Sequence, residues 1–165
     1  MDSNNLLTIV KKNGEFHPHS YQDKIGAWKI GYGSLEYMDG SSIKPDDSID
    51  EASAAILLDR DLQRLRSEIL NFIPTTLPQG AVDALTSFAH SHGTMKLLRS
   101  SLLKKIKENP LNLKVIEKEF KKWDKEDGKF SQKMSNKRND EAKMFNDAIL
   151  SQYSKYELLY KNPPK

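Results

Sequence analysis

The sequence predicts an α+β protein that is mostly helical, with a small β-hairpin lobe near the N-terminus and a larger helical lobe at the C-terminus. Three observations support this fold class. Residues 21–33 alternate apolar or aromatic residues with Gly and Lys, which is typical of short strands joined by tight turns. Residues 51–72 carry apolar side chains at helical spacing. The chain beyond them repeats such amphipathic segments between Pro and Gly residues.

A helix and then the β-lobe are expected at the N-terminus. An early cluster of Leu, Ile and Val indicates the helix, which Asp2 or Ser3 can cap and Gly14 can end. The β-lobe is expected over about 15–49. Its last part is polar and rich in turn residues, with one short strand expected around Ile43.

A long linking helix and a helical lobe account for the remaining residues. Ser48 or Asp50 can cap the linking helix, which runs to about Phe72 within the segment 50–72. Pro and Gly residues divide the rest of the chain into separate helices. We expect these helices over about 79–91, 97–107, 113–123 and 131–160, so that the helical lobe spans 73–160 and residues 161–165 form a tail.

The composition limits the classes of protein to which the chain can belong. It has 165 residues and no cysteine, which fits one domain made of two lobes and excludes a disulfide framework. No apolar run reaches about 18 residues, so we expect no membrane span. We also expect no signal peptide, because the N-terminus lacks a basic start and a small-residue cleavage site. The formal net charge is +3 with both signs mixed, which indicates an ordinary solvated surface.

The most specific motif lies in the predicted β-lobe. It consists of Tyr21-Gln22-Asp23, Gly26, Trp28 and Ile30-Gly31-Tyr32-Gly33. These residues match, without a gap, the signature of the phage-type lysozymes, glycoside hydrolase family 24. In that signature Glu-Gly precedes Tyr-x-Asp, and Gly-x-x-Thr-Ile-Gly-x-Gly-His comes after it. The chain therefore resembles this family in its most informative stretch.

Two later segments resemble the same family. The segment from Leu97 to Leu103 is similar to Phe-x-x-Ser-Thr-Leu-Leu, and Lys137-Arg138-x-x-Glu141 is similar to Arg-Arg-x-x-Glu. The resemblance implies a lysozyme-like two-lobed fold, with the β-lobe and the helical lobe joined by the linking helix. It also implies hydrolysis of the β-1,4 bond between N-acetylmuramic acid and N-acetylglucosamine in bacterial peptidoglycan.

Three positions depart from the family signature. The catalytic Glu of the family falls on Gly14, the Thr falls on Lys29 and the His falls on Ser34. Moving Glu15 into the Glu position would place Lys11 where Val10 should pack, so the ungapped register is preferred. On a continued helix, Glu15 would point about 100° away from the required direction.

These departures bear directly on the chemistry. Cleavage of a sugar polymer normally needs two carboxyl groups, one of which is protonated and donates to the leaving oxygen. Of the residues that the resemblance implies, only Asp23 remains, and Lys29 is expected to pair with it. Asp23 can equally be a structural remnant. Glu15 stays open as a displaced acid, if a local rearrangement turns it inward, or as an exposed surface residue.

Other polar residues are candidates for substrate contact or for structural roles. The four histidines form two His-x-His pairs, but alternate residues diverge on a helix, so we expect no metal site and no cofactor. Trp28 and Trp123 are expected in the core rather than as sugar platforms. The residues that the resemblance implies for substrate binding are Tyr32, Gly33, Ser34, Leu35, His90, Ser91, Lys137 and Arg138, with one of the last two cations left without its family partner.

Two functions remain as hypotheses. The first is a catalytically degenerate muramidase-type protein that binds peptidoglycan or serves as a phage particle component. The second is a working endolysin with a displaced Glu15. Either protein is expected to be a monomer made in the bacterial cytoplasm. It would reach the wall in a virion, with phage tail or particle proteins as partners, or through a membrane-permeabilising release partner. Acidic residues interrupt the Lys-rich helices, which argues against nucleic-acid binding.

Overall fold

The computed structural model of the chain describes residues 3–161, and the side chains of residues 5–157. The predicted cap at Asp2 and the tail after Lys161 lie outside this range. The elements are α1 (Ser3–Asn13), β1 (His17–Gln22), β2 (Trp28–Gly31), α2 (Glu51–Ile69), α3 (Gln79–His92), α4 (Thr94–Leu98), α5 (Ser101–Glu108), α6 (Leu113–Lys121), β3 (Lys125–Glu126), β4 (Lys129–Phe130) and α7 (Gln132–Lys161). The predicted class, a mostly helical α+β chain with a small β-hairpin, is confirmed.

The chain forms two compact units, one comprising residues 3–64 and the other beginning at Leu65. The first unit therefore includes α1 and most of α2 as well as the β-lobe. The sequence-based boundaries of the lobes at 15–49 and 73–160 remain predictions. Among the described residues, no helix is both long enough and apolar enough to cross a membrane.

The β-hairpin of the first unit is antiparallel and pairs His17 with Gly31 and Tyr21 with Lys29. A register irregularity lies between these two pairs. The short strand expected around Ile43 is reduced to one isolated bridge, between Glu36 and Ser42. The turn residues on either side of this bridge leave too few paired residues for a regular strand.

Apolar side chains hold the first unit together. Gly31 has a φ of 64°, and a Cβ there would lie 2.8 Å from Ala54 Cβ on α2, so only glycine allows β2 to approach this helix so closely. One buried cluster contains Leu6, Val10, Tyr32, Ala54, Leu58 and Leu62. A second contains Ile30, Ile43 and Leu57.

The second unit is built around α3, whose residues 81–89 are all buried. Phe88 on α3 meets Phe120 on α6 with ring centroids 6.3 Å apart, and Phe120 meets Phe145 on α7 at 6.1 Å. The segment predicted as one helix over 97–107 is broken. Ser100 lies outside helical geometry and its side chain accepts a hydrogen bond from the Leu103 amide, so α5 begins anew at Ser101.

Candidate active site

The position of the family Glu lies just after the end of α1. The Gly14 amide donates to the Lys11 carbonyl at 3.3 Å, which tightens the last turn of the helix. A Cβ at Gly14 would lie only 2.8 Å from the carbonyl oxygen of Val10. The backbone at this position therefore has no room for a side chain without a local shift.

Glu15 comes after the helix end and is directed towards solvent. Its side chain is 66% exposed, and its Oε2 lies 3.8 Å from Nε2 of His17. The helical rotation of about 100° does not apply, because α1 ends at Asn13. The structure thus places Glu15 as an exposed residue close to the first residue of β1.

Asp23 occupies the turn between β1 and β2, where three donors surround its carboxylate. Its Oδ1 accepts from the amides of Ile25 at 3.0 Å and Ala27 at 2.9 Å, and its Oδ2 lies 3.1 Å from the Lys29 ammonium. The predicted pairing with Lys29 is confirmed. Desolvation acts to raise the pKa of Asp23, but the Ala27 amide, Lys29 and the Ile25 amide outweigh it, so this pKa lies below its ordinary value.

Removing the ammonium should raise the pKa of Asp23. In Lys29→Met, we expect an upward shift that does not reach the ordinary value, because both amide donors remain. Because the folded-state pKa is lowered, the stability that Asp23 contributes is present above its unfolded pKa and is lost as pH falls through the folded one. Carboxyl-carbon NMR titration measures the shift, with Lys44→Met as the control. An unchanged Asp23 pKa would show that Lys29 has no part in lowering it.

Adding a single methyl group at Gly14 should destabilise the protein. We expect Gly14→Ala to lower the free energy of unfolding by about 1–3 kcal/mol, because the new Cβ meets a backbone oxygen that cannot easily move. Urea denaturation measures this change. The matched control is Glu15→Ala on the exposed neighbour, for which a change within about 0.5 kcal/mol is expected. Equal effects of the two variants would contradict the close contact.

Tyr21 lies within the electrostatic reach of both acids. Burial raises the pKa of the Tyr21 phenol most, and the charges of Asp23 and Glu15 raise it further. The ring of His17 stacks on Tyr21 with centroids 4.2 Å apart. Glu15, His17, Tyr21 and Asp23 therefore form one polar cluster on the hairpin.

Tyr32 and Ser34, two residues of the first unit that are predicted to contact substrate, are buried and donate hydrogen bonds to α2. The Tyr32 hydroxyl donates to Glu51 at 2.8 Å, and burial together with Glu51 raises the pKa of Tyr32 to about 12. The buried Ser34 hydroxyl donates to Asp61 at 2.6 Å. Their hydroxyl groups hold the loop to α2, and their contact with substrate stays a prediction.

Gly33 and Leu35 are the other two residues of this loop that are predicted to contact substrate. Gly33 lies between the two hydroxyl-bearing residues with a φ of 97°, and Leu35 is exposed. Sequence reasoning missed Glu51 and Asp61, because they lie 19 and 27 residues from the hydroxyl groups they bind. The pattern of charged residues along α2 does not indicate that these two carboxylates bind the hydroxyl groups.

In the second unit, Arg138 is fully buried against Glu141. Arg138 Nε lies 2.8 Å from Glu141 Oε2, and Nη2 donates to Oε1 at 2.8 Å. The Ser87 hydroxyl donates to the same Oε1 at 2.6 Å. Arg138 is therefore not the cation left without a partner, because Glu141 of the same motif pairs with it, and its contact with substrate stays a prediction. Lys137 is also buried, and this burial lowers its pKa to about 8.

An aromatic cluster covers one side of Arg138. The His92 ring packs between Phe88 and Trp123, with centroids 4.8 Å from each, and its Nε2 contacts Nη1 of Arg138. Burial, followed by the nearby cations, lowers the pKa of His92 to about 3, so the ring is neutral at pH 7 and can accept a hydrogen bond. The core role predicted for Trp123 fits this position.

The two candidate sugar contacts on α3 lie next to this cluster. Ser91 accepts a hydrogen bond from Arg138 Nη2 at 3.3 Å, and His90 is half-buried. Within the described residues, no group of three or more His, Asp or Glu side chains is arranged to hold a metal ion.

Comparison with known proteins identifies the family. A family model described as phage lysozyme matches residues 11–141. The chain belongs to the phage lysozyme family. This lysozyme-family chain is 30% identical over 138 residues to an endolysin of Bacillus phage PZA, a match that covers 84% of the chain. The chain spans about half of that relative, because the match covers 51% of the endolysin.

Solved structures agree with the fold of this phage lysozyme-family chain. It superposes on the muramidase domain of SpmX from Asticaccaulis excentricus with a TM-score of 0.73 and 21% identity, covering 86% of the chain and 94% of that domain. A mutant of the P22 lysozyme gives a TM-score of 0.70 with 26% identity, covering 86% and 94%. The predicted lysozyme-like fold is therefore confirmed.

Proposed function

We propose that this lysozyme-family protein binds bacterial peptidoglycan and cleaves it weakly or not at all. The lack of an acid side chain at Gly14, the position of the family Glu, carries this proposal, because Asp23 cannot take its place. A glycosidase needs one carboxyl group that is protonated and a second that stabilises the sugar cation or activates water. With a lowered pKa and three donors around it, Asp23 cannot serve as the protonated acid.

Neither Gly14 nor its neighbour Glu15 supplies the missing acid. Gly14 has no side chain, and its backbone leaves no space for one. Glu15 is well exposed, whereas an acid catalyst is normally held in dry surroundings that keep it protonated. Loss of general acid catalysis typically slows a reaction by about 10²–10⁴-fold. Peptidoglycan as the polymer rests on the relatives, which are an endolysin, a muramidase domain and a lysozyme.

A working endolysin is the second candidate function, and one observation favours it. The charges of Glu15 and Asp23 both act on Tyr21, so the two acids lie in one neighbourhood. A rearrangement after the end of α1 would bring Glu15 into use as the acid. In either case the protein acts at the cell wall, delivered within a virion or through a membrane-permeabilising partner.

Purified peptidoglycan sacculi separate the two candidates. We expect the protein to sediment with the sacculi and to release no more soluble fragments than Asp23→Asn does. Release that disappears in Glu15→Gln would replace the first function with the second. A folded protein that neither binds nor cleaves sacculi would contradict both.

A further inference from the structure

The second unit has a basic groove between the end of α4 and the outer face of α5. The groove has a volume of about 620 Å³, and Leu98, Arg99, Lys104 and Lys107 contribute to its lining. Leu102, Leu103 and Ile106 anchor α5 in the core, so the Lys side chains of this helix remain on its outer face. The candidate catalytic residues of the hairpin do not line this groove.

The cations of the groove form no ion pair within the described residues, although the charge of Lys104 does act on the nearby Glu108 carboxylate. No ion pair found among the described residues involves Arg99, Lys104 or Lys107, and all three are exposed. Glu108 also lines the groove, but its carboxylate lies 2.8 Å from the ammonium of Lys105. The groove lining thus carries three cations against a single carboxylate, Glu108, so it remains basic.

The shape and lining of the groove define the ligand. Lys104 and Lys107 lie three residues apart on α5, so they lie on one side of the helix and can contact successive negative groups of a chain. Leu98 is 40% exposed and offers an apolar surface for carbon atoms between those groups. A single polymer strand can enter a concave groove, whereas the flat surface of a bilayer cannot follow it. Nucleic-acid strands normally stack their bases on aromatic side chains, and the groove lining contains none.

We infer that this groove binds a phosphodiester-linked polyanion without bases, such as an alditol phosphate chain of the bacterial cell envelope. Arg99, Lys104 and Lys107 contact its phosphates, and Leu98 contacts the carbon units between them. The inference does not depend on whether the protein cleaves or binds peptidoglycan. The groove would attach the protein to the envelope through residues outside the hairpin and the aromatic cluster.

Binding of the full chain to poly(glycerol phosphate) tests the inference. We expect affinity to fall by about 20-fold when salt rises from about 50 to 200 mM, as three phosphate contacts predict. The triple variant Arg99→Gln, Lys104→Gln, Lys107→Gln should lower the slope of log affinity against log salt by about 2. The control triple Lys44→Gln, Lys125→Gln, Lys129→Gln removes the same charge from exposed positions outside the groove and should change the slope little.

Each result of this experiment supports or overturns the inference. Loss confined to the groove variant, with thermal unfolding unchanged, supports it. Equal loss in both variants would show that net charge alone is responsible. Tighter binding to oligothymidine with the same number of phosphates would reassign the groove to nucleic acid, and binding to phosphatidylglycerol vesicles alone would reassign it to a membrane. The proposed function is tested with sacculi stripped of anionic polymer, so that its failure can be distinguished from a failure of the groove inference.

Discussion

Glu141→Gln is expected to lower the free energy of unfolding by about 3–5 kcal/mol, because it leaves the Arg138 guanidinium buried without an opposite charge. Glu141 is the only carboxylate that the structure pairs with Arg138 in the described part of the chain. Urea denaturation followed by circular dichroism measures the change. The expected effect is large because neither group can reach water in the folded state.

Two further variants make this result specific. Glu117→Gln breaks the exposed pair with Lys121 and should change stability by only about 0–1 kcal/mol. The double variant Arg138→Met, Glu141→Leu should be markedly more stable than Glu141→Gln, since it removes both buried charges together. If Glu141→Gln costs no more than Glu117→Gln, the buried pair within α7 contributes no more to stability than the exposed pair does.

The double variant Gly14→Glu, Lys29→Thr is expected to release soluble fragments from sacculi at least about 100-fold faster than the parent protein, if the lack of an acid at Gly14 and the Asp23–Lys29 pair limit hydrolysis as proposed. One change supplies a proton donor, and the other frees Asp23 from its ammonium partner. The new side chain must displace the Val10 carbonyl, so we also expect a stability loss of about 1–3 kcal/mol.

Two control variants separate an effect on catalysis from an effect on folding. Lys29→Thr alone should stay near the parent level, because no acid is added. Adding Asp23→Asn to the double variant should abolish the gain. If a folded double variant shows no gain, other positions must also limit hydrolysis. Candidates are Ser34, where the sequence departs from the family signature, and His90, which the resemblance places at the substrate site.

The fold is largely predictable because it depends on periodicity and on turn residues. The apolar stripe of α2 and the glycine-rich hairpin each stand out in the sequence, and so does the turn at Asp127-Gly128, where both residues have positive φ. The break between α4 and α5 is not predictable in this way. It depends on Ser100 turning its hydroxyl to the Leu103 amide, and serine within a run of leucines can also continue a helix.

The candidate site is predictable only where partners are close in sequence. The pairing of Asp23 with Lys29 is expected from their places on either side of one hairpin turn. The partners of Tyr32 and Ser34 cannot be predicted, because they depend on how α2 packs against the loop. The charge of Arg138 is visible in the sequence and suggests a substrate contact, whereas its complete burial is visible only in the structure.

The close approach of the Val10 carbonyl to Gly14 also bears on how the chain can change by mutation. A Gly14→Glu substitution alone is expected to lower stability, while its full benefit to activity is expected only with a second change at Lys29. The two positions are therefore expected to be coupled in activity, because neither Gly14→Glu nor Lys29→Thr alone is expected to give the full gain of the double variant. The close contact at the end of α1 therefore makes a single change at Gly14 costly for stability before any gain in activity can be expected.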